Sequence, residues 1–166
     1  VLENVKTHNK FTFDIETTGT RIYYYGGDRA ASDRMIGFGL SWETGQAVYI
    51  PLESHVFETL DRQYVIDTLF PLLAEKEVGG ANIPFDLRGV YHEGYIFKTW
   101  CDVIDNEYLM DPEGSKGKKG LKTLARYYLN EEIPELHEVL GGPVDGNLIL
   151  YLPKDVISSS TITCAS

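Results

Sequence analysis

Cysteine is nearly missing from this chain: of 166 residues only Cys101 and Cys164 carry a thiol. Two isolated cysteines, with no CxxC pair, make neither a disulfide framework nor a structural zinc site; a reducing, intracellular setting fits best, the cytoplasm, including that of a host cell in which a viral or phage protein acts. Long apolar runs are missing too, and no charged-then-apolar leader opens the chain, so no membrane partner is expected. The four histidines, His8, His55, His92 and His137, are scattered and read as surface or partly buried side chains rather than ligands. Positive charge is in deficit: 15 Lys and Arg against 25 Asp and Glu leave a formal net charge of −10. That argues against a protein held on nucleic acid by a broad basic surface. It leaves room for acids that hold cations, which in turn hold phosphate, with weak and salt-sensitive binding. No internal repeat or linker divides the sequence, and its length suits one domain over 1–166 with a real core. The first residue is Val1, not Met, which suggests an excised or processed piece of something longer, or a trimmed tag.

What is there is organised around Phe11-Thr12-Phe13-Asp14-Ile15-Glu16-Thr17-Thr18-Gly19. At period two, Phe11, Phe13 and Ile15 point one way and Thr12, Asp14 and Glu16 the other, as on a strand. Two carboxylates on adjacent same-face positions repel, each favouring the protonated form of the other unless a cation sits between them. Such a pair looks like half of a hard-metal site, which wants carboxylate oxygens. The plainer reading is an edge strand with a solvated face. Thr17-Thr18-Gly19 ends the strand and lets the backbone turn near the acids.

Residues 1–10 read as a polar lead-in. Residues 20–34 form a loop-like insertion with Tyr23, Tyr24 and Tyr25, which either stack on bases or cover the sheet edge. Residues 35–42 (MIGFGLSW) and 46–52 (QAVYIPL) are strand-rich and flank the turn Glu43-Thr44-Gly45, so three antiparallel strands open the fold. Apolar spacing of Val65, Ile66, Leu69, Leu72 and Leu73 predicts a helix over 61–77, with Pro71 kinking or stopping it early. A short strand at 77–81 follows, then a helix from Pro84 to Glu93 stopped by Gly94. A strand at 95–101 precedes a helix capped by Asp102 and running to Met110. The loop 111–120 carries Lys116, Lys118 and Lys119, a cluster for phosphate contact or simple solvation. A helix over 121–129 buries Leu121, Leu124, Ala125 and Tyr128 on one side; a weaker helical piece covers 133–140, and a last helix starts at Pro153. Hairpin strands followed by strands alternating with helices make an α/β mixed sheet with helices on its faces.

Two further polar groups fall into line with the first. Asn82-Ile83-Pro84-Phe85-Asp86 puts Asn82 at a strand end and Asp86 in a first helical turn, where an acid also complements the helix dipole. Tyr151-Leu152-Pro153-Lys154-Asp155 places Tyr and Asp at i and i+4, on one helical face. D-x-E, then N-x-x-x-F-D, then Y-x-x-x-D, in that order, resembles the DEDD superfamily of 3′–5′ exonucleases, in the subclass with tyrosine in the last motif. The segments MIGFGLSW…GQAVYIPL, GGANIPFDLRGV and CDVIDNEYLMDP…GLKTLARYYL are similar to stretches of the proofreading domain of DNA polymerase I-type (family A) enzymes. The similarity runs from about Lys10 to Asp155.

The resemblance implies a ribonuclease H-like mixed sheet, antiparallel hairpin strands plus parallel ones, with the site at one edge of it. It implies that Asp14, Glu16, Asp86 and Asp155 bind two divalent cations, Mg²⁺ or Mn²⁺, and that Tyr151 orients the attacking water. Thr17, Asn82 and Phe85 would lie at the terminal nucleotide, with Glu16 also holding its 3′-hydroxyl. In such chemistry two cations about 4 Å apart activate the water and meet the leaving 3′-oxygen. The substrate would be a single-stranded or frayed 3′ end of DNA, with a polymerase in cis as the partner domain. Two alternatives stand: a ribonuclease D-like RNA exonuclease, and a catalytically lapsed domain that positions DNA. One departure weighs on the last motif: the segment after Asp155, rich in Ser and β-branched residues, is a poor helix former where the family has a long helix.

Overall fold

The computed structural model describes residues 1–19, 33–54, 58–113 and 120–133. They build a five-stranded sheet in the order β3-β2-β1-β4-β5. The strands are β1 (Lys10–Thr17), β2 (Met35–Glu43), β3 (Gln46–Pro51), β4 (Glu77–Gly80) and β5 (Lys98–Asp102). β1, β2 and β3 pair antiparallel, as the hairpin pattern predicts, and Gly45 turns the β2–β3 hairpin at φ +76. β4 joins β1 in parallel, and β5 joins β4 in parallel. Parallel neighbours need a crossover, supplied by α2 (Arg62–Ala74) before β4 and α3 (Ile83–His92) before β5. The result is the mixed α/β sheet flanked by helices that the element order predicts.

β1 is the middle strand. The edge-strand reading is therefore corrected: Asp14 and Glu16 stand near the C-terminal end of the central strand. Its apolar row behaves as the period predicts, with Phe11, Phe13 and Ile15 all buried. Phe13 meets the rings of Phe38 at 5.6 Å and Phe97 at 5.4 Å, and Phe70 closes the cluster at 5.5 Å from Phe38 and 5.2 Å from Phe97. All but the tilted Phe13–Phe38 pair meet edge to face, which adds to the area these rings remove from water. The opposite row is not simply solvated, because Thr12 and its cross-strand partner Ser41 are buried as well.

Four local expectations need revision. The polar lead-in is a short helix, α1 (Leu2–Thr7), anchored by a fully buried Val5. Pro71 does not stop α2, which runs on to Ala74 with Leu73 fully buried; a packed apolar face holds the helix past the missing N–H. Residues 95–97 precede β5 rather than belong to it, although Phe97 is buried in the main core. The predicted helix over 121–129 divides into an α-helical turn, α5 (Leu121–Leu124), and a π-helical turn (Ala125–Leu129). That widening turns Tyr128 outward: it is half exposed, and its hydroxyl donates to buried Glu107 at 2.7 Å. The bond pushes the Tyr128 phenol up to about 12. Glu107 belongs to α4 (Val103–Met110), which Asp102 caps as its sequence position predicts, accepting from the Ile104 N–H at 2.8 Å. A second apolar cluster of Val103, Leu124, Ala125 and Ile133 holds this part of the chain. The insertion 20–32, the lysine cluster 116–119 and the chain from 134 on lie outside the described residues.

Candidate active site

The paired register of β1 with β4 runs as far as Thr12, opposite Gly79. The Ile15 N–H, which a longer ladder would have used, donates to Asp86 Oδ1 at 2.8 Å. Asp86 sits in the first turn of α3, so the helix start takes over from the missing strand. This is how an aspartate 71 residues beyond Ile15 arrives at the backbone N–H of the residue that separates the two acids of D-x-E. The close approach of β4 depends on Gly80, where a Cβ would stand 2.8 Å from the Phe13 carbonyl oxygen. The position is also where β1's neighbours lead off in opposite directions, to β2 on one side and β4 on the other; in α/β sheets such a point at the carboxyl ends of strands opens a crevice.

Asp86 is 2% exposed. An acid that merely complemented the helix dipole would stand in water, so the dipole reading does not account for it. Burial, then the charge of Asp14, holds its carboxyl well above the usual range; Glu16 adds to the rise, and the Ile15 N–H works against it. Asp14, Glu16 and Asp86 thus form one electrostatic unit, brought together by the fold. A divalent cation with a preference for oxygen ligands would reverse the repulsion, and the donor set fits such an ion. Among the described residues, however, no three His, Cys, Asp or Glu side chains close on a single metal position. Tyr151 and Asp155, the remaining members of the expected set, lie outside the described residues.

The expected nucleotide contacts gather at the same end of the sheet. Thr17 ends β1 immediately after Glu16, at a register shift between Glu16 and Thr17 against β2. Bulges of this kind re-aim side chains next to active sites. Asn82 precedes α3 in a left-handed conformation, φ 59 and ψ 42, and is exposed; its side chain makes no cap bond. Phe85 is partly buried against the main core, so its ring is at least half committed to packing. The Thr18 N–H donates to the Arg34 carbonyl and the Arg34 N–H to Thr18 Oγ1, both at 3.0 Å, so the tyrosine-bearing insertion leaves and rejoins the fold just past Glu16.

Two features escaped the motif reading. Gly39 and Gly37 lie opposite Asp14 and Glu16 on β2 and leave that strand without side chains at those two positions. Tyr49 of β3, opposite Gly39, lays its hydroxyl over Gly37, where a Cβ would come within 2.1 Å of it. The G-x-G alternation within MIGFGLSW carries that signal: two glycines at period two clear one face of a strand. The second feature is Asp102, whose carboxylate also accepts from the Asn82 N–H at 3.1 Å and the Ile83 N–H at 2.9 Å.

No protein-family profile matches the chain, and no curated protein matches it in sequence. Solved structures do match its shape. Brucella melitensis NrnC bound to pGG superposes with a TM-score of 0.68 at 18% identity, over 98% of this chain and 73% of that one. Another NrnC structure, with bound Mg²⁺, gives 0.66 at 17% identity over 99% and 74%. Escherichia coli RNase D, an exoribonuclease involved in structured RNA processing, gives 0.66 at 14% identity over 99% of this chain and 40% of that one. The Pol1 polymerase of M. smegmatis, in complex with a DNA primer-template and dNTP, gives 0.62 at 14% identity over 99% and 24%. The sheet and its flanking helices are the fold these proteins share.

Proposed function

We propose that this chain is a metal-dependent 3′–5′ exonuclease of the DEDD superfamily, one nuclease domain that hydrolyses phosphodiester bonds at a single-stranded or frayed 3′ end. The observation that carries the reading is the burial of Asp86 against the Ile15 N–H between Asp14 and Glu16, where its carboxyl titrates far above an ordinary aspartate. Burying an acid beside two others works against the fold, and a cation nearby would offset that repulsion. Asp14, Glu16, Asp86 and Asp155 are the residues that would hold two divalent cations, Mg²⁺ or Mn²⁺. When bound, such ions lower the pKa of the attacking water and offset charge on the leaving 3′-oxygen. The protein's own groups do the rest. Tyr151 aligns the water through its hydroxyl without acting as a strong base. Asn82, the Thr17 backbone and Phe85 grip the terminal nucleotide by shape and stacking, so sequence preference is slight. Glu16 also reaches the 3′-hydroxyl.

DNA is the first reading of the substrate, with proofreading beside a polymerase domain in cis as its setting; it rests on the family A similarity of the segments between the motifs. The second reading, RNA or short oligoribonucleotides, gains support from the fold shared with RNase D and with NrnC bound to pGG. The test uses 5′-labelled single strands of matched DNA and RNA sequence, with Mg²⁺, Mn²⁺ or EDTA. Metal-dependent shortening from the 3′ end is expected, and the faster substrate assigns the class. No digestion of either strand by folded protein in Mn²⁺ would refute the nuclease reading and leave the lapsed, positioning domain in its place.

A further inference from the structure

We infer that Asp102 is the positioning residue of the acidic site: by holding the start of α3 it sets where the Asp86 carboxylate meets the Ile15 N–H beside Asp14 and Glu16. The activity arm of this inference rests on the nuclease reading; its structural arm does not.

Asp102 closes β5 and caps α4, and for the cap alone one oxygen would serve, since Ser or Asn does the same work. Here both oxygens are engaged. Oδ1 accepts from the Ile104 N–H at 2.8 Å and the Asn82 N–H at 3.1 Å, and Oδ2 accepts from the Ile83 N–H at 2.9 Å. Only a carboxylate offers this many acceptor positions without a donor in the way. The two distant donors are 20 and 19 residues away and belong to the turn into α3. That turn needs help. Asn82 is left-handed, a conformation that costs any residue with a Cβ, and its side chain supplies no cap. Asp102 stands in for the missing cap and keeps the turn in place.

From Ile83 to Asp86 is less than one helical turn, so the carboxylate moves with the helix start as a rigid piece. Its single described tie on the far side is the Ile15 N–H at 2.8 Å. Asp102 is thus linked to D-x-E in a short series: its carboxylate, the first N–H groups of α3, the Asp86 carboxylate and the Ile15 N–H. Such a splint is what a cluster of like charges needs in order to hold its shape before a cation arrives.

The experiment compares Asp102→Ser, Asp102→Glu and Asp102→Ala with the unmodified protein. Serine keeps the α4 cap but cannot bridge to α3. In D102S the amides of α4 should stay protected from hydrogen exchange, while the Ile15 amide should exchange about tenfold faster or more. The Mn²⁺ concentration for half-maximal cleavage should rise roughly tenfold to a hundredfold, the range seen when a ligand's supporting partner is lost. D102E should recover part of the metal response. Unchanged Ile15 exchange in folded D102S would overturn the inference, as would a lowered Tm with unchanged Mn²⁺ response. If D102A fails to fold, D102S still decides. If the unmodified protein neither binds Mn²⁺ nor cleaves, the nuclease reading fails and Ile15 exchange alone decides whether Asp102 positions Asp86.

Discussion

Replacing Asp86 with asparagine should make the metal-free protein more stable at neutral pH and less able to use metal. Asparagine keeps an oxygen for the Ile15 N–H, now at 2.8 Å from Asp86 Oδ1, and removes one of three repelling charges. At 2% exposure the lost charge has almost no water to solvate it. Relief should be on the order of 1–3 kcal/mol, the usual size of an uncompensated buried polar group, and is bounded because the carboxyl can take a proton instead. For a chain of this length that is a rise in Tm of about 2–12 °C. The sign follows from linkage. The folded carboxyl titrates above its unfolded value of about 3.9, so its contribution is fully present below that value and is lost as pH rises through the folded one. The advantage of D86N in EDTA should therefore be larger at pH 7.5 than at pH 5. Mn²⁺ reverses the order: at a hundredfold excess over Kd the unmodified protein gains about 2.7 kcal/mol, and D86N gains less. Calorimetry or fluorescence melting at both pH values, with EDTA and with Mn²⁺, reads all four numbers. A D86N protein that melts well below the unmodified one in EDTA at pH 7.5 would refute the idea that this acid serves a site at the expense of the fold.

Further outcomes can be checked alongside. Asp14→Ala with Glu16→Ala should abolish metal-dependent shortening of a labelled single strand while leaving far-UV circular dichroism unchanged; undiminished digestion would remove the pair from the site. Tyr151→Phe should slow hydrolysis and leave single-strand binding nearly unchanged, and unaltered turnover would take Tyr151 out of the mechanism. Phe13→Ala, at a fully buried position ringed by Phe38, Phe70 and Phe97, should cost about 3–5 kcal/mol in urea melts, and a loss under 1 kcal/mol would mean the ring cluster is not the core's centre. Asn82→Val should cost about 1–2 kcal/mol through its left-handed backbone whereas Asn82→Gly should not, so a raised KM in the glycine variant isolates what the side chain does for substrate.

The alternation of Phe11, Phe13 and Ile15 with Asp14 and Glu16 was enough to show a strand with two acids on one face, because side-chain direction in a strand is set by chain geometry alone. The β2–β3 hairpin, the helix beginning near Pro84 and the capping of α4 by Asp102 were legible for the same reason: each is decided within a few residues. The order of strands was not, since local pattern carries no record of a strand's neighbours; only packing revealed β1 as the centre. Nor could spacing show Asp86 sealed against the Ile15 N–H, 71 residues away, or Asp102 serving two helices with one carboxylate. Residue type and order determined what chemistry the chain could support. Long-range closure of the backbone decided which acids meet, how dry the meeting place is, and therefore how strongly they repel.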